Sequence, residues 1–253
     1  MADETVSGKL RVAIADDEAP ARSLLREYLS AFPDVEVVAE CANGFEAVKA
    51  VENAAPALLL LDIQMPGLSG FEVVELLRSE VAVVFVTAYD EYALRAFEVH
   101  AVDYLLKPFS PERLGEALRR VRQRIGRPRE AGIEKVAAAA RPPGTWPERL
   151  VAKEAGRIQV IPLNALDFVE ARDDYICLRS GGREVLKQQT LSDLASQLDP
   201  ARFVRVHRSY ILNVARIARI ERYAKDSRLA VLLDGTKVPI SRAGYASLRD
   251  HLG

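Results

Sequence analysis

Apolar and polar positions follow two different periodicities along the chain, and the change falls near residue 126. In the first half, short continuous apolar runs alternate with segments in which apolar residues recur every three or four positions. Continuous runs are typical of strands buried on both faces, and the longer spacing is typical of helices. The predicted strands are Leu10–Ala15, Val35–Ala39, Ala57–Leu61, Ala82–Val86 and Val102–Leu106, and the predicted helices are Ala19–Ala31, Gly44–Val51, Gly70–Leu77, Glu91–Val99 and Pro111–Ile125.

Five strand–helix units of this kind predict an α/β fold, with a doubly wound parallel sheet covered by helices on both faces. In such sheets, ligands bind at the carboxyl ends of the strands, where the strand order reverses. Any ligand-binding site of the first half is therefore expected at the carboxyl ends of its strands.

The second half is expected to be a mainly β domain. Periodicity is lost between residues 126 and 146, which predicts a linker between domains 1–125 and 147–253. Beyond it, apolar residues recur at every second position, as in strands with one buried face. The predicted strands are Arg157–Pro162, Asp167–Ala171, Tyr175–Arg179, Val204–His207, Ile217–Glu221, Leu229–Leu233 and Lys237–Ile240, with hairpin turns at Gly181-Gly182 and Asp234-Gly235. The predicted helices are Leu191–Leu198, capped by Thr190 or Ser192, and Arg242–Leu252, capped by Ser241.

Charge divides between the two halves. Residues 1–126 hold 13 basic and 21 acidic side chains, a net of −8, whereas residues 127–253 hold 22 and 15, a net of +7. A basic second half is suited to a polyanion such as nucleic acid, although it is also compatible with an ordinary solvated surface.

The apolar runs also bear on location. The longest, Pro56–Leu61, is far too short to cross a bilayer, so no membrane span is expected. Asp3 and Glu4 precede any apolar stretch, unlike the order in a signal peptide, and we expect a cytoplasmic protein.

Five chemically active side chains fall at the ends of predicted strands: Asp16, Asp17, Asp62, Thr87 and Lys107. A single aspartate at a strand end is usually a helix cap, but five such residues at converging ends indicate a site. Three neighbouring carboxylates repel one another unless a hard divalent cation such as Mg²⁺ binds between them. With the cation neutralising a phosphoryl group, Asp62 is the natural nucleophile, and the hydroxyl and ammonium groups would hold the phosphoryl oxygens.

These motifs resemble the signature of response-regulator receiver domains over residues 8 to 125. The matching segments are Ala15–Glu18, Leu60–Gly67, Val86–Ala88 and Leu106–Phe109. The resemblance implies that Asp62 is the phosphoacceptor and that Thr87 and Lys107 contact the phosphoryl group. It also implies Mg²⁺ ligands, a switch aromatic residue and a cis bond before Pro108. The implied ligands are Asp16, Asp17, Asp62 and the main-chain carbonyl of Gln64, and the switch residue is Tyr104.

Phosphatases of the haloacid dehalogenase type use similar groups and provide an enzymatic alternative. They need a second aspartate two positions after the nucleophile, where this chain has Gln64. A phosphorylated Asp62 would therefore be hydrolysed slowly, which favours a switch over an enzyme.

The most distinctive stretch of the second half is Phe203–Asn213. Alternation places Val204, Val206 and Ile211 toward the core and leaves polar residues near a strand end. The stretch resembles the hallmark of the LytTR DNA-binding domain, and the resemblance covers about residues 147 to 252. It implies loops that enter successive major grooves, where an arginine fork reads guanine. By position, the implied DNA-contacting residues are Arg172, Asp174, Lys187, Arg205, His207, Arg208, Ser209 and Arg242.

Together the two resemblances imply a two-component response regulator of the LytR/AlgR family. A sensor histidine kinase would phosphorylate Asp62, and the protein would then form a homodimer through the face between Glu91 and Ile125. The dimer would bind repeated sites in double-stranded promoter DNA and regulate transcription. The alternative is a response regulator whose β domain binds RNA or a protein partner.

Overall fold

The chain divides into two compact units, Met1–Ala140 and Arg141–Gly253. The computed structural model describes residues 8–77, 81–89, 92, 101–125, 146–224 and 227–252. The helix expected at Glu91–Val99 and the linker expected at 126–146 lie outside the described residues, apart from Tyr92 and Trp146.

The N-terminal unit contains the predicted doubly wound parallel sheet. Its strand order is β2-β1-β3-β4-β5, and all four pairings are parallel. The strands are β1 (Leu10–Ala15), β2 (Val35–Cys41), β3 (Leu58–Leu61), β4 (Ala82–Thr87) and β5 (Asp103–Leu106). The helices are α1 (Ala19–Ser30), α2 (Gly44–Ala54), α3 (Gly70–Leu76) and α4 (Pro111–Arg124). The flavodoxin-like fold class is thereby confirmed.

The centre of the sheet explains why its strands lack alternation. All four leucines of β3 are fully buried, because β3 lies between β1 and β4 and is covered on both faces. The strand order reverses between β1 and β3, so the carboxyl ends of these two strands form the crevice where such sheets bind ligands.

The C-terminal unit is mainly antiparallel β structure. Its described strands form sheets with the orders β10-β9-β8-β12-β11, β13-β14-β15 and β6-β7. The strands are β6 (Arg149–Glu154), β7 (Arg157–Pro162), β8 (Leu166–Arg172), β9 (Tyr175–Ser180), β10 (Arg183–Lys187), β11 (Phe203–His207), β12 (Tyr210–Asn213), β13 (Ile217–Ala224), β14 (Ser227–Leu232) and β15 (Lys237–Ile240). The helices are α5 (Leu191–Gln197) and α6 (Arg242–Leu252). None of the described helices in the chain is long and apolar enough to cross a membrane.

The sequence patterns missed three of these strands, β6, β10 and β12, and found the others to within a few residues. Both hairpin turns are confirmed, since Gly181-Gly182 joins β9 to β10 and Asp234-Gly235 joins β14 to β15. Of the two candidate caps of α5, Thr190 is the N-cap, because its hydroxyl accepts a hydrogen bond from the Asp193 amide.

Candidate functional site

Three carboxylates meet at the crevice of the N-terminal unit. Asp16 and Asp17 follow β1, Asp62 follows β3, and one carboxylate oxygen from each lies within 4.8 Å of the others. Asp16 and Asp62 are buried, whereas Asp17 is exposed. The parallel sheet therefore brings together the three aspartates that the sequence placed at strand ends.

Lys107 lies between two of these carboxylates. Its Nζ atom is 2.6 Å from Asp16 Oδ2 and 3.0 Å from Asp62 Oδ2. Burial alone would lower the pKa of Lys107, but its hydrogen bond to Asp16 and the charge of Asp62 outweigh burial and raise that pKa. Lys107 is therefore held as a cation beside Asp62.

The backbone fixes the position of Asp62. Its amide donates to the carbonyl of Ala15 at 2.8 Å, and the Gln64 amide donates to its carboxylate at 3.3 Å. Helix α3 begins at Gly70 directly against this segment, and a Cβ atom at position 70 would overlap the backbone carbonyl of Asp62. Glycine is required there because two backbone segments touch.

Thr87 and Tyr104 lie on the neighbouring strands. The Lys107 amide donates to the Thr87 carbonyl at 2.8 Å, which brings the ends of β4 and β5 to the same edge. Thr87 is fully buried, and its hydroxyl lacks a hydrogen-bond partner in the described part of the chain. The Tyr104 hydroxyl donates to the carbonyl of Tyr89. The Lys107–Pro108 bond is cis, as the resemblance implied.

The donor set suits a hard divalent cation. Burial raises the pKa of Asp16, with the hydrogen bond from Lys107 acting in the opposite direction, so the anionic form of Asp16 is costly without a further cation. A pocket of about 500 Å³, lined in part by Asp17, Gln64 and Met65, opens beside the carboxylates. Carboxylate oxygens with space for water are the surroundings that Mg²⁺ prefers.

In the C-terminal unit, backbone contacts bring three candidate DNA-binding segments together. The first is the β8–β9 turn with the exposed Asp174, and the second is the β11–β12 turn at 208–209. They are joined by the hydrogen bond from the Ala171 amide to the Ser209 carbonyl, at 2.9 Å. The third, the start of α6, is joined to β11 because the Ser241 amide donates to the Val206 carbonyl at 2.8 Å.

Helix α6 lies directly against β11. The Ser241 hydroxyl donates to the Val206 carbonyl at 3.0 Å and accepts from the Gly244 amide, also at 3.0 Å, so Ser241 caps the helix as predicted. A Cβ atom at Gly244 would overlap that same carbonyl. The first helical residue, Arg242, is exposed beside this contact.

Two of the candidate basic residues already have partners within the unit. Lys187 is buried, and its Nζ donates to the Val151 carbonyl at 2.7 Å, so its ammonium group already has a partner within the unit. Arg172 forms ion pairs with Glu170 at 2.8 Å and Glu184 at 3.0 Å. Its hydrogen bonds to Glu184 and Glu170 raise the pKa of Arg172. The sequence patterns had not singled out either glutamate.

The remaining candidates surround the β11–β12 turn. The Ser209 amide donates to His207 Nδ1 at 3.2 Å, and the His207 ring packs near that of Tyr210. Arg208 is exposed, and its side chain has no ion pair or hydrogen bond with the described residues. Arg205 is also exposed, but its guanidinium donates within the unit.

Two family models match the chain, one in each unit. Residues 12–119 match the response regulator receiver domain, and residues 156–253 match the LytTr DNA-binding domain. These two matches define the chain as a response regulator with a DNA-binding output domain. The chain belongs to the LytTR family of response regulators.

The chain also matches curated proteins over nearly their whole length. The chain is 36% identical over 247 residues to the transcriptional regulatory protein BtsR of Salmonella typhi, covering 96% of this chain and 99% of that protein. Identity to BtsR of Escherichia coli (strain K12) is 35% with the same coverage. Among solved structures, the REC domain of AraT from Geobacillus stearothermophilus is 35% identical, covers 46% of this chain and 95% of that one, and has a TM-score of 0.42. A LytTr DNA-binding domain from Bacillus cereus is 23% identical, covers 42% and 98%, and has a TM-score of 0.40.

Proposed function

We propose that a sensor histidine kinase phosphorylates Asp62 and that this modification controls homodimerisation and sequence-specific DNA binding, and thereby transcription. The observation that carries the proposal is the arrangement around Asp62. A lysine ammonium is bound to its carboxylate, two further carboxylates lie within 4.8 Å, and the buried hydroxyl of Thr87 lacks a described partner. Each of these groups can neutralise the charge of an attached phosphoryl group, bind the cation that does so, or donate a hydrogen bond to a phosphoryl oxygen.

The transfer requires Asp62 as an anionic nucleophile. One of its oxygens attacks the phosphorus of a phosphohistidine, a new P–O bond forms, and the P–N bond breaks with its electron pair returning to the imidazole. Lys107 offsets the charge on the phosphoryl oxygens. Mg²⁺, held by Asp16, Asp17, Asp62 and the Gln64 carbonyl, would supply further charge neutralisation.

Phosphorylation adds a charge of about −1.5 to −2 at Asp62. The Thr87 hydroxyl donates to a phosphoryl oxygen and so gains the partner it lacks. Tyr104, two pairs along the β4–β5 ladder from Thr87, then changes its position and leaves the Tyr89 carbonyl. This change alters the face between residues 91 and 125 and favours the homodimer.

Dimerisation places two LytTR domains on paired half-sites, so the second domain binds at a high effective concentration. The β8–β9 turn with Asp174, the β11–β12 turn with His207, Arg208 and Ser209, and Arg242 at the start of α6 face the DNA. The guanidinium of Arg208, which is exposed and has no ion pair or hydrogen bond among the described residues, is suited to bidentate recognition of guanine.

Phosphotransfer is tested with a labelled small phosphodonor and Mg²⁺ on the full chain. Asp62→Asn should take up no label, because the amide is not a nucleophile of comparable strength. Asp34→Asn is the matched control, since Asp34 is exposed and pairs only with Arg122 among the described salt bridges. Label retained in Asp62→Asn would refute the assignment of the phosphoacceptor.

The output is tested by selection from random duplex DNA and from a single-stranded RNA pool, with the phosphorylated full chain at matched salt. Enrichment of a repeated duplex site supports DNA recognition, and a matched sedimentation measurement should show the dimer only after phosphorylation. Enrichment from the RNA pool alone would favour an RNA-binding output domain instead.

A further inference from the structure

Arg205 and Arg208 lie three residues apart at the same edge of the LytTR domain, yet their guanidinium groups differ in what they contact. Arg205 Nη1 donates to Ser192 Oγ on α5 at 3.0 Å, and Arg205 Nη2 donates to the backbone carbonyl of Arg208 at 3.0 Å. The Arg208 side chain has no such partner in the described part of the chain. The Arg205 guanidinium is therefore oriented by contacts within the domain, whereas that of Arg208 is not fixed by any described residue.

The contact with the Arg208 carbonyl completes a set of bonds that hold the β11–β12 turn. The Ser209 amide is bound by His207 Nδ1, and the Ser209 carbonyl accepts from the Ala171 amide. With Arg205 bound to the Arg208 carbonyl, the turn is held from β11, from β8 and, through Ser192, from α5. A turn fixed at successive backbone groups presents its side chain in one direction.

We propose that Arg205 is a positioning residue that orients the Arg208 turn for base recognition, with Ser192 as its anchor, rather than a direct DNA contact. This inference rests on the proposed DNA-binding function. Each terminal nitrogen of Arg205 already donates one hydrogen bond within the domain, so the orientation of the guanidinium is set by Ser192 and the Arg208 carbonyl and not by a base edge. The role of Arg205 is then exerted through the backbone of the residue that reads the base.

The substitution that separates the two roles is Arg205→Lys. A lysine retains the charge, but its single ammonium cannot bridge Ser192 Oγ and the Arg208 carbonyl as the planar fork does. If Arg205 only attracted phosphate, lysine would preserve binding. For a positioning role, we expect the ratio of affinities for the selected site and random DNA to fall about tenfold, within the range of one bidentate base contact.

Two further variants keep the test independent of folding. Ser192→Ala removes one hydrogen bond on a helix that has no proposed DNA contact, and we expect about a 2- to 5-fold fall in the same ratio. In the Arg208→Ala background, Arg205→Lys should have no further effect, because the side chain that it orients is absent. Circular dichroism of each variant shows that the domain remains folded.

The experiment measures the affinity of the phosphorylated full chain for its selected duplex and for random DNA across a salt series. The inference is supported if Arg205→Lys and Ser192→Ala lower the affinity ratio while Arg205→Ala leaves the salt dependence unchanged. It is overturned if Arg205→Lys keeps the wild-type affinity ratio, or if the effect of Arg205→Lys adds to that of Arg208→Ala. It is also overturned if Arg205→Ala lowers the slope of log affinity against log salt concentration by about 1, as loss of a phosphate contact does. A wild-type protein without any sequence preference would instead refute the proposed function.

Discussion

Replacing Thr87 by valine should stabilise the receiver domain while removing its response to phosphorylation. The threonine is fully buried at the end of β4, and its hydroxyl lacks a hydrogen-bond partner among the described residues. Valine has nearly the same shape and lacks the polar atom. The folded state then no longer carries an unsatisfied hydroxyl.

The size of the effect follows from the desolvation of that hydroxyl. An unsatisfied buried polar group costs about 1–3 kcal/mol, because its hydrogen bond to water is lost without replacement. The added methyl group requires a small adjustment in the neighbouring pocket, so we expect a net gain of about 1–2 kcal/mol. This corresponds to a change of about 5- to 30-fold in the equilibrium between folded and unfolded states.

Hydrogen exchange read by mass spectrometry measures this change separately for each domain of the full chain. Amides of β3 and β4 exchange through unfolding of the receiver domain, so their exchange should slow by about 5- to 30-fold in Thr87→Val. Amides of β11 report on the LytTR domain and should be unaffected. Phosphorylation-dependent dimerisation, measured by sedimentation, should be lost.

The matched control is Thr190→Val. The Thr190 hydroxyl caps α5, accepting from the Asp193 amide and donating to its carboxylate. Loss of such a cap costs about 1 kcal/mol, so β11 amides should exchange faster in this variant. Faster or unchanged exchange of β4 in Thr87→Val would refute the reasoning that the Thr87 hydroxyl is held without a partner.

Three further substitutions should change stability in defined ways. Gly244→Ala should destabilise the LytTR domain by about 2–4 kcal/mol, seen as faster β11 hydrogen exchange, because the new methyl group overlaps the Val206 carbonyl. Asp103→Asn should lower the free energy of unfolding by about 2 kcal/mol at neutral pH, because the buried carboxylate binds two arginines of α4. Burial would raise the pKa of Asp103, but those arginines lower it. The wild-type contribution is therefore present above pH 3.8 and is lost as the pH falls through the lowered pKa. The hydrogen bond to Glu170 raises the pKa of Tyr210 to about 12. The contribution of neutral Tyr210 to the free energy of unfolding is therefore complete below pH 10 and declines as the pH rises toward 12. Tyr210→Phe should remove this decline from alkaline unfolding curves.

Each of these three expectations has an opposing result. Gly115→Ala is the control for Gly244, since a Cβ atom there meets only the ring of Phe32 at 3.3 Å. Equal small effects of both glycine substitutions would show that α6 can shift away from β11 without cost. If Asp103→Asn keeps the wild-type loss of stability at acid pH, Asp103 is not the source of that loss. If Tyr210→Phe keeps the wild-type loss of stability at alkaline pH, Tyr210 is not the source of that loss.

The strands of the receiver domain and the aspartates at their ends could be predicted from the sequence, because each apolar run and the residue that follows it are neighbours in the chain. The apolar runs of β1 and β3 end at Asp16 and Asp62, and a parallel sheet necessarily brings those ends together. The same topology places Lys107, at the end of β5, at this edge, where it forms hydrogen bonds with both carboxylates. The unpartnered hydroxyl of Thr87 does not follow from the topology, because it depends on the packing of every neighbouring atom.

The LytTR domain was harder to predict because several of its strands lack alternation. Strand β12 lies inside its sheet, between β8 and β11, and Ile211 and Leu212 are both buried, so no period of two appears. Strand β10 carries Glu184, the partner of Arg172, and β6 carries Val151, the partner of Lys187. Since neither strand was predicted, nothing in the sequence indicated that these two basic side chains were already bound.

The direct contact between α6 and β11 has a consequence for how DNA preferences diverge within this family. The helix that begins at Arg242 rests on the Val206 carbonyl, two residues before Arg208, through Ser241 and Gly244. The distance between these two arginine backbones is therefore set by the Val206 carbonyl, the Ser241 cap and the glycine at position 244, and not by the arginine side chains. Under the proposed function, replacing Arg208 or Arg242 would change which bases are recognised, while this contact would keep the spacing between the two recognition positions.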